Sequence, residues 1–159
     1  GLQTLLLAVS KIKEDLILWI EGDGIHKQMY IDMSIELNIN NKCRFLGFCQ
    51  YDTHAWLMRH SDIIVVPSLE DPWGIVVDEG LQLKKIVISS DATGSGYDRV
   101  NDGINGYLFP AGNSSKLASL LSNAIALHSG ATDIAKNISF EDSKNITPND
   151  NVKKLLELI

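Results

Sequence analysis

The sequence predicts an α/β fold built on a doubly wound parallel sheet, and three observations support this. Short apolar runs alternate along the chain with longer segments whose apolar residues recur at helical spacing. The runs at 63–66 and 86–88 are apolar throughout, as expected of parallel strands buried on both faces. Glycines occur in the loops that follow the runs. Strands that alternate with helices form right-handed βαβ units, which place helices on both faces of the sheet.

The same periodicities place each element in order. Leucine and valine at helical spacing open the chain, and Pro67 stops the run at 63–66. Asp52 or Thr53 is a candidate N-cap for the third helix, and the glycine-rich residues 91–96 are predicted to form a loop. In chain order the predicted elements are helix 2–12, strand 16–20, helix 25–37, strand 43–48, helix 52–60, strand 63–66, helix 74–83, strand 86–88, strand 106–109 and helix 117–127.

The opening helix is unusual for this class of fold. A doubly wound domain normally opens with a strand near the centre of its sheet. We therefore expect the sheet to lack its first strand, which leaves two unpaired strand edges. Unpaired edges are templates for association, so self-association of the chain or pairing with a partner chain is expected.

Length, charge and composition exclude several classes of protein. The 159 residues fit one domain of about 100–200 residues. A net charge of -6 without a Lys/Arg cluster argues against nucleic acid as a partner. Two cysteines outside a Cys-x-x-Cys motif and four scattered histidines indicate neither a zinc site nor a disulfide framework. Without a long apolar run or a signal-peptide pattern, we expect a cytoplasmic protein.

The most informative stretch runs from residue 67 to residue 80, from a buried strand into a helix. Seven residues separate Asp71 from Glu79. If the helix starts near Pro72 or Gly74, Asp71 lies at its mouth and Glu79 lies one to two turns inside, so that both can line one pocket. The alternative is structural: Asp71 is the helix N-cap with Pro72 at the first position, and Glu79 faces water.

The start of this helix is also a candidate anion site. The backbone N–H groups of Gly74, Ile75 and Val76 would lack intrahelical acceptors, and the helix dipole favours a phosphate or diphosphate there. A carboxylate would repel such an anion but accepts hydrogen bonds from hydroxyl groups. We therefore assign Asp71 and Glu79 to hydroxyls rather than to phosphates.

Other loop residues are weaker candidates, because each has an equally good structural explanation. Glu70 can replace Asp71 if the helix register differs, Trp73 lies beside the predicted pocket, and Asp98 is either a helix cap or a pocket carboxylate. The pair Gly22 and Gly24 is typical of a turn as well as of a binding loop, and so are Gly94, Ser95 and Gly96.

The order of these motifs resembles the family-four retaining glycosyltransferases. The resemblance runs without interruption from residue 1 to about residue 127 and fades from Ser129 onward. Residues 1–24 resemble that family's stretch from KG through a helix to vGdGp, 44–48 (RFLGF) its v.FlGfv, 61–68 (SDIIVVPS) its aDvfvlPS, 71–79 its signature of an acid, seven residues and Glu, and 102–110 (DGINGYLFP) its dG.nG.l.p.

This resemblance implies the GT-B fold, with two Rossmann-like domains and a nucleotide-sugar donor bound mainly by the C-terminal one. The chain resembles that C-terminal half: residues 1–128 would form the donor-binding domain, and 129–159 a polar segment and C-terminal helix of the same domain. The implied reaction transfers a sugar from a nucleotide-diphosphate sugar to an acceptor with retention, in glycan or polysaccharide biosynthesis. The acceptor-binding domain would be the missing partner.

The resemblance also implies roles for individual residues. Asp71 and Glu79 would be the catalytic pair, on the sugar hydroxyls and the ribose hydroxyls respectively. No metal or cofactor is implied, and the sequence has no Asp-x-Asp motif. The implied donor contacts are Gly22 and Gly24 near diphosphate and base, Phe45 and Leu46 at the base, Glu70 as the alternative to Asp71, Trp73, Gly74, Ile75 and Val76 at sugar and diphosphate, and Gly94, Ser95 and Gly96 near the donor.

Two departures from the family pattern change what we expect of this chain. The first acid is Asp71 instead of the usual Glu, with Glu70 directly before it, so both remain candidates for the sugar contact. The Arg and Lys that the family carries before its first helix are absent. We therefore expect the isolated chain to have little or no transferase activity. The resemblance separately implies that the full-length enzyme is cytoplasmic or peripheral at the cytoplasmic face of the membrane.

Three other classes remain as alternatives. A nicotinamide dehydrogenase needs Gly-x-Gly-x-x-Gly, and the turn at Gly22 and Gly24 lacks the third glycine. A GT-B sugar-nucleotide epimerase has the same architecture and would epimerise a donor without an acceptor. A noncatalytic nucleotide-sugar-binding or scaffold module would stay inactive at full length.

Overall fold

The computed structural model of the chain describes residues 1–129. It confirms the predicted alternation of helices and strands. Most of the predicted polar segment and C-terminal helix at 129–159 lies outside the described residues. The elements are α1 (Leu2–Val9), β1 (Leu18–Glu21), α2 (Lys27–Glu36), β2 (Cys43–Gly47), α3 (Tyr51–His60), β3 (Ile63–Val66), α4 (Ile75–Gln82), β4 (Ile86–Ser90), α5 (Gly94–Arg99), β5 (Gly106–Phe109) and α6 (Ser114–Ser129).

The strands pair in parallel, as predicted, but they form two sheets and not one. β1 pairs with β2, and β4 lies between β3 and β5. The sheet is interrupted between β1 and β3. In the doubly wound strand order this is the place of the first strand, so the interruption agrees with the expected lack of that strand.

Helices cover both faces of the strands. β3 shows this most clearly, because Ile63 and Val65 pack against the larger core cluster while Ile64 and Val66 belong to the second. Burial on both faces explains why its sequence is apolar throughout. The larger cluster contains α1, α6 and residues of both sheets, and the second contains α4.

The predicted cap of the third helix and the predicted loop at 91–96 are wrong. The third helix begins at Tyr51 with Gln50 as its N-cap, so Asp52 lies in the first turn and neither Asp52 nor Thr53 caps the helix. An acid in the first turn is favourable to the helix dipole without being the cap. The residues 91–96, predicted as a loop, contain the start of α5 at Gly94.

Within residues 1–129, none of the helices is both long enough and apolar enough to cross a bilayer.

Candidate active site at the carboxyl ends of the strands

The loops after β1 and β2 are tied together by a backbone contact. The N–H of Gly22 donates to the carbonyl of Gly47 at 2.8 Å. Gly22 has a φ of 115°, a conformation that residues with a Cβ rarely adopt. Gly24 lies in an exposed part of this loop with open space around its Cα. The structure thus gives Gly22 a conformational reason to be glycine and Gly24 none.

Phe45 and Leu46 lie next to this pair of loops, at the end of β2. They project to opposite faces of the strand. Phe45 is half-buried and packs against the larger core cluster, whereas Leu46 is exposed. Leu46 is therefore the more exposed of the two side chains.

The loop between β3 and α4 is fixed against the loop that leads into α5. The Asp71 N–H donates to the Ala92 carbonyl at 3.1 Å, and the Gly94 N–H donates to the Asp71 carbonyl at 3.1 Å. The Ser95 N–H donates to the Trp73 carbonyl at 2.7 Å. These backbone bonds extend the parallel pairing of β3 and β4 beyond the sheet and hold the mouth of α4 rigidly.

Gly74 begins α4 for two physical reasons. Its φ is 74°, and a Cβ at this position would lie 2.3 Å from Cγ2 of Thr93. The first intrahelical bond joins the Val77 N–H to the Gly74 carbonyl at 3.0 Å. Helix geometry leaves the N–H groups at Gly74, Ile75 and Val76 without intrahelical acceptors, which is the arrangement expected of an anion site.

Asp71 is not the cap of this helix. Its Oδ1 accepts a hydrogen bond from the Trp73 N–H at 3.1 Å in a turn ahead of the helix, and the N-cap is Gly74. Pro72 therefore does not occupy the first helical position. The alternative in which Asp71 caps the helix and Pro72 is its first residue is therefore wrong. The Asp71 carboxylate is instead held beside the mouth of α4.

Gly94, Ser95 and Gly96 pack this region together. A Cβ on Gly94 would lie 2.3 Å from the Pro72 carbonyl oxygen, and one on Gly96 would lie 2.4 Å from Oγ of Ser89. The Ser95 hydroxyl is fully buried and donates to the Gly74 carbonyl at 2.7 Å. Gly94 therefore allows close approach of α5 to the loop before α4, and Gly96 allows close approach of α5 to β4.

An open cavity of about 380 Å³ lies between the two loops. Asp71, Asp91 and Asp98 bring three carboxylates to it. Glu70 is exposed and does not line it, and Ser95 and Gly96 are buried behind it. The residues that line it are Asp71, Pro72, Trp73, Asp91, Ala92, Thr93, Gly94, Tyr97 and Asp98.

Glu79 lies outside this cavity, which differs from the expected single pocket. It is 5% exposed and points to the side of α4 that faces β1 and α3. Its Oε2 lies 3.3 Å from Nε2 of His54, and Nδ1 of His54 lies 2.7 Å from Oε2 of Glu21. The two predicted acids therefore flank the mouth of α4 on different sides.

Trp73 is held by the buried carboxylate of Asp78, for which the sequence indicated no role. Its Nε1–H donates to Oδ2 of Asp78 at 3.0 Å, and the Arg99 guanidinium lies 5.5 Å from the centre of its ring. Burial raises the pKa of Asp78, which the Trp73 hydrogen bond and the Arg99 charge oppose. These contacts orient the indole at the edge of the cavity.

Across residues 1–129, no group of three or more His, Cys, Asp and Glu side chains is arranged to hold a metal ion.

The fold defines a class: it is that of one half of the GT-B glycosyltransferases. The chain superimposes on a Rickettsia africae glycosyltransferase with a TM-score of 0.80 and 26% identity, covering 98% of this chain and 42% of that one. It matches Anabaena HepE, solved with UDP and glucose, with a TM-score of 0.79 and 24% identity over 99% of this chain and 44% of HepE. The second likeness bears on the fold alone.

The chain belongs to the family Glycosyl transferases group 1, which it matches over residues 1–139. Among curated relatives, it is 33% identical to the uncharacterized glycosyltransferase MJ1607 of Methanocaldococcus jannaschii over 96 residues, 59% of this chain and 25% of that protein. It is 32% identical to the lipopolysaccharide core biosynthesis glycosyltransferase LpsD of Rhizobium meliloti, again over 59% of this chain and 26% of LpsD. The chain thus spans about a quarter of these relatives' length.

Proposed function

We propose that this chain binds the nucleotide-sugar donor of a glycosyltransferase that transfers a sugar with retention of anomeric configuration. The observation that carries the proposal is the family match over residues 1–139, together with a glycine-started helix flanked by Asp71 and Glu79. One structural neighbour supports the ligand class: HepE in the structure solved with UDP, which is 25% identical to this chain.

The diphosphate would bind at the mouth of α4. The backbone amides of Gly74, Ile75 and Val76, together with the helix dipole, would stabilise its negative charge. The same amides would stabilise the charge that grows on the leaving diphosphate as the bond from the anomeric carbon to phosphate oxygen breaks. The acceptor oxygen would attack on the same face of the sugar. We propose that the reaction needs no metal.

The sugar would lie on the Asp71 side of α4. A cavity with three carboxylates repels phosphate but accepts hydrogen bonds from sugar hydroxyls, so it suits the uncharged part of the donor. The nucleoside would lie on the other side, with Glu79 accepting hydrogen bonds from the ribose hydroxyls and Leu46 beside the base.

The acceptor would be bound by a separate domain of the full-length enzyme. The curated relatives are about four times the length that this chain matches, which supports an additional domain. We therefore propose that the isolated chain binds donor but transfers no sugar. LpsD, named for lipopolysaccharide core biosynthesis, supports a role in glycan or polysaccharide biosynthesis.

We place the full-length enzyme in the cytoplasm or at the cytoplasmic face of the membrane. Cys43 and Cys49 are both free thiols, which suits a reducing compartment.

Calorimetric titration of the chain with UDP, GDP and their hexose conjugates tests the proposal. Glu79→Ala should weaken nucleotide binding by about ten- to a hundredfold, because hydrogen bonds to a charged group contribute about 1.5–3 kcal/mol. Asp71→Ala should bind the free nucleotide normally but lose the additional affinity that the sugar provides. Glu36→Ala, an exposed acid at the end of α2, is the matched control and should bind as the wild type does.

Two results would contradict this assignment. Absence of binding to all four ligands would favour the scaffold alternative. Conversion of one nucleotide sugar into its epimer, without an acceptor, would identify an epimerase.

A further inference from the structure

His54 lies between two carboxylates that come from different elements. Its Nδ1 is 2.7 Å from Oε2 of Glu21, at the end of β1, and its Nε2 is 3.3 Å from Oε2 of Glu79, in α4. The side chain of Glu79 is 6% exposed, and those of His54 and Glu21 are 21% and 31% exposed. α3 therefore carries a ring that bridges β1 and α4.

The geometry favours a protonated imidazole, because each ring nitrogen faces a carboxylate oxygen. A carboxylate only accepts hydrogen bonds, whereas a neutral imidazole has one N–H donor and one lone pair. A neutral ring would therefore turn its lone pair towards either Glu21 or Glu79. The imidazolium donates to both, and its charge compensates the buried Glu79 carboxylate, which would otherwise be costly.

We propose that His54 is a positioning residue for the nucleotide: its imidazolium holds the ionised Glu79 carboxylate in place to accept hydrogen bonds from the ribose diol. This inference rests on the proposed function. A carboxylate has about four lone-pair sites, so Glu79 can accept from His54 and from ribose hydroxyls at the same time.

Nucleotide affinity should consequently depend on pH through His54. The hydrogen bond to Glu79, followed by the hydrogen bond and charge of Glu21, raises the pKa of His54 to about 9, although burial lowers it. Cys49, ahead of α3, is also close to Glu21, and burial followed by the Glu21 charge raises the pKa of its thiol. Asp78, next to Glu79 on α4, bonds to Trp73 instead. The bridge is therefore present at neutral pH and is lost as pH rises through about 9.

The bridge itself can be measured without a ligand. NMR titration of the histidine rings in the full chain should give His54 a pKa near 9, and Glu21→Gln should lower it. An ordinary value near 6.5 for His54 in the wild type would overturn the proposal. This measurement also covers the case in which a His54 variant fails to fold.

The positioning role is measured with UDP and GDP between pH 6.5 and pH 10. At pH 7, His54→Gln should bind the nucleotide about tenfold more weakly, the loss expected when a charged hydrogen-bond partner no longer orients Glu79. The variant should also lose the fall in affinity that the wild type shows near pH 9. Titration of the nucleotide base affects the affinities of both proteins equally, so it cancels in the ratio of the two affinities.

The matched control is His60→Gln, the same change on the same helix. The His60 ring contacts the Trp56 carbonyl and stacks on the Trp56 ring, away from both glutamates, so this variant should bind as the wild type does. A 2′-deoxynucleotide tests whether His54 acts through the ribose. If it does, the loss of affinity on removing the 2′-hydroxyl and the loss caused by His54→Gln should be less than additive.

The possible failures are distinguishable. If His54→Gln binds nucleotide as tightly as the wild type across this pH range, the positioning role is wrong and the proposed function stands. If the wild type binds neither nucleotide, the proposed function fails and the positioning role fails with it.

Discussion

Gly74 shows how one residue determines the start of the helix at the centre of the site. A side chain there would meet Thr93, and the φ of 74° is unfavourable for any residue with a Cβ. Either feature alone would favour glycine. Together they fix where α4 begins and hence which amides are free to bind an anion.

Gly74→Ala should therefore destabilise the fold by about 1–3 kcal/mol, through backbone strain and the clash with Thr93. Urea unfolding followed by tryptophan fluorescence measures this. Gly24→Ala is the matched control, because a Cβ there meets nothing within 4 Å, and it should change stability by less than about 0.5 kcal/mol. Equal losses in the two variants would show that Gly74 is not constrained as described.

At the residue scale, the sequence identified two acids in one continuous stretch but missed the histidine partner of Glu79. Asp71 and Glu79 stand out because a short spacing relates them to a single helix start. His54 is 33 positions from Glu21 and 25 from Glu79. No local periodicity links residues on three different elements, so only the packing of α3 between β1 and α4 reveals the bridge.

At the scale of elements, α4 and α5 are interlocked through backbone and hydroxyl contacts. Ser95, in the first turn of α5, donates its buried hydroxyl to the Gly74 carbonyl ahead of α4. The interlock requires Gly94, which lets the α5 backbone approach the loop before α4. The position of the proposed anion site thus depends on a helix that contributes little to the site directly.

Ser95→Ala should destabilise the chain by about 0.5–1.5 kcal/mol, because the Gly74 carbonyl loses its hydroxyl donor and keeps only the Val77 N–H. Affinity for UDP should fall in parallel. The comparison is Ser10→Ala, which removes the same type of bond, from a hydroxyl to the Leu7 carbonyl, at an exposed position. Thermal unfolding should separate the two variants, and an unchanged melting temperature for Ser95→Ala would contradict the interlock.

The error over residues 91–96 arises from the same interlock. Glycine has a low helix propensity, so a glycine-rich segment is predicted as a loop. Here Gly94 and Gly96 are required by close contacts with Pro72 and Ser89, and tertiary packing stabilises a short helix against its propensity.

For the molecule as a whole, the larger core cluster joins the two sheets. Leu18 and Ile20 of β1 pack against the same cluster as Ile88 of β4, and α1 contributes Leu6, which is fully buried. Although β1 and β3 do not pair, the apolar contacts beneath them make the two sheets parts of one core.

Leu6→Ala should accordingly cost about 2–5 kcal/mol and weaken both sheets together, since it opens a cavity in their shared core. Hydrogen exchange should accelerate by a similar factor for amides in β1 and β4. Ile17→Ala, at a position that is 64% exposed, should leave both rates nearly unchanged. Acceleration confined to one sheet would mean that the sheets are stabilised separately.

The sequence by itself determined the α/β class, the order of the elements, the family resemblance and the two acids beside the helix. These features depend on local periodicity and on motifs within short stretches. Tertiary structure alone decided that the sheet is divided, that Asp71 and Glu79 lie on opposite sides of the α4 mouth, and that His54 bridges two glutamates. Such features depend on which side of each element meets another, and contacts between residues distant in sequence determine that.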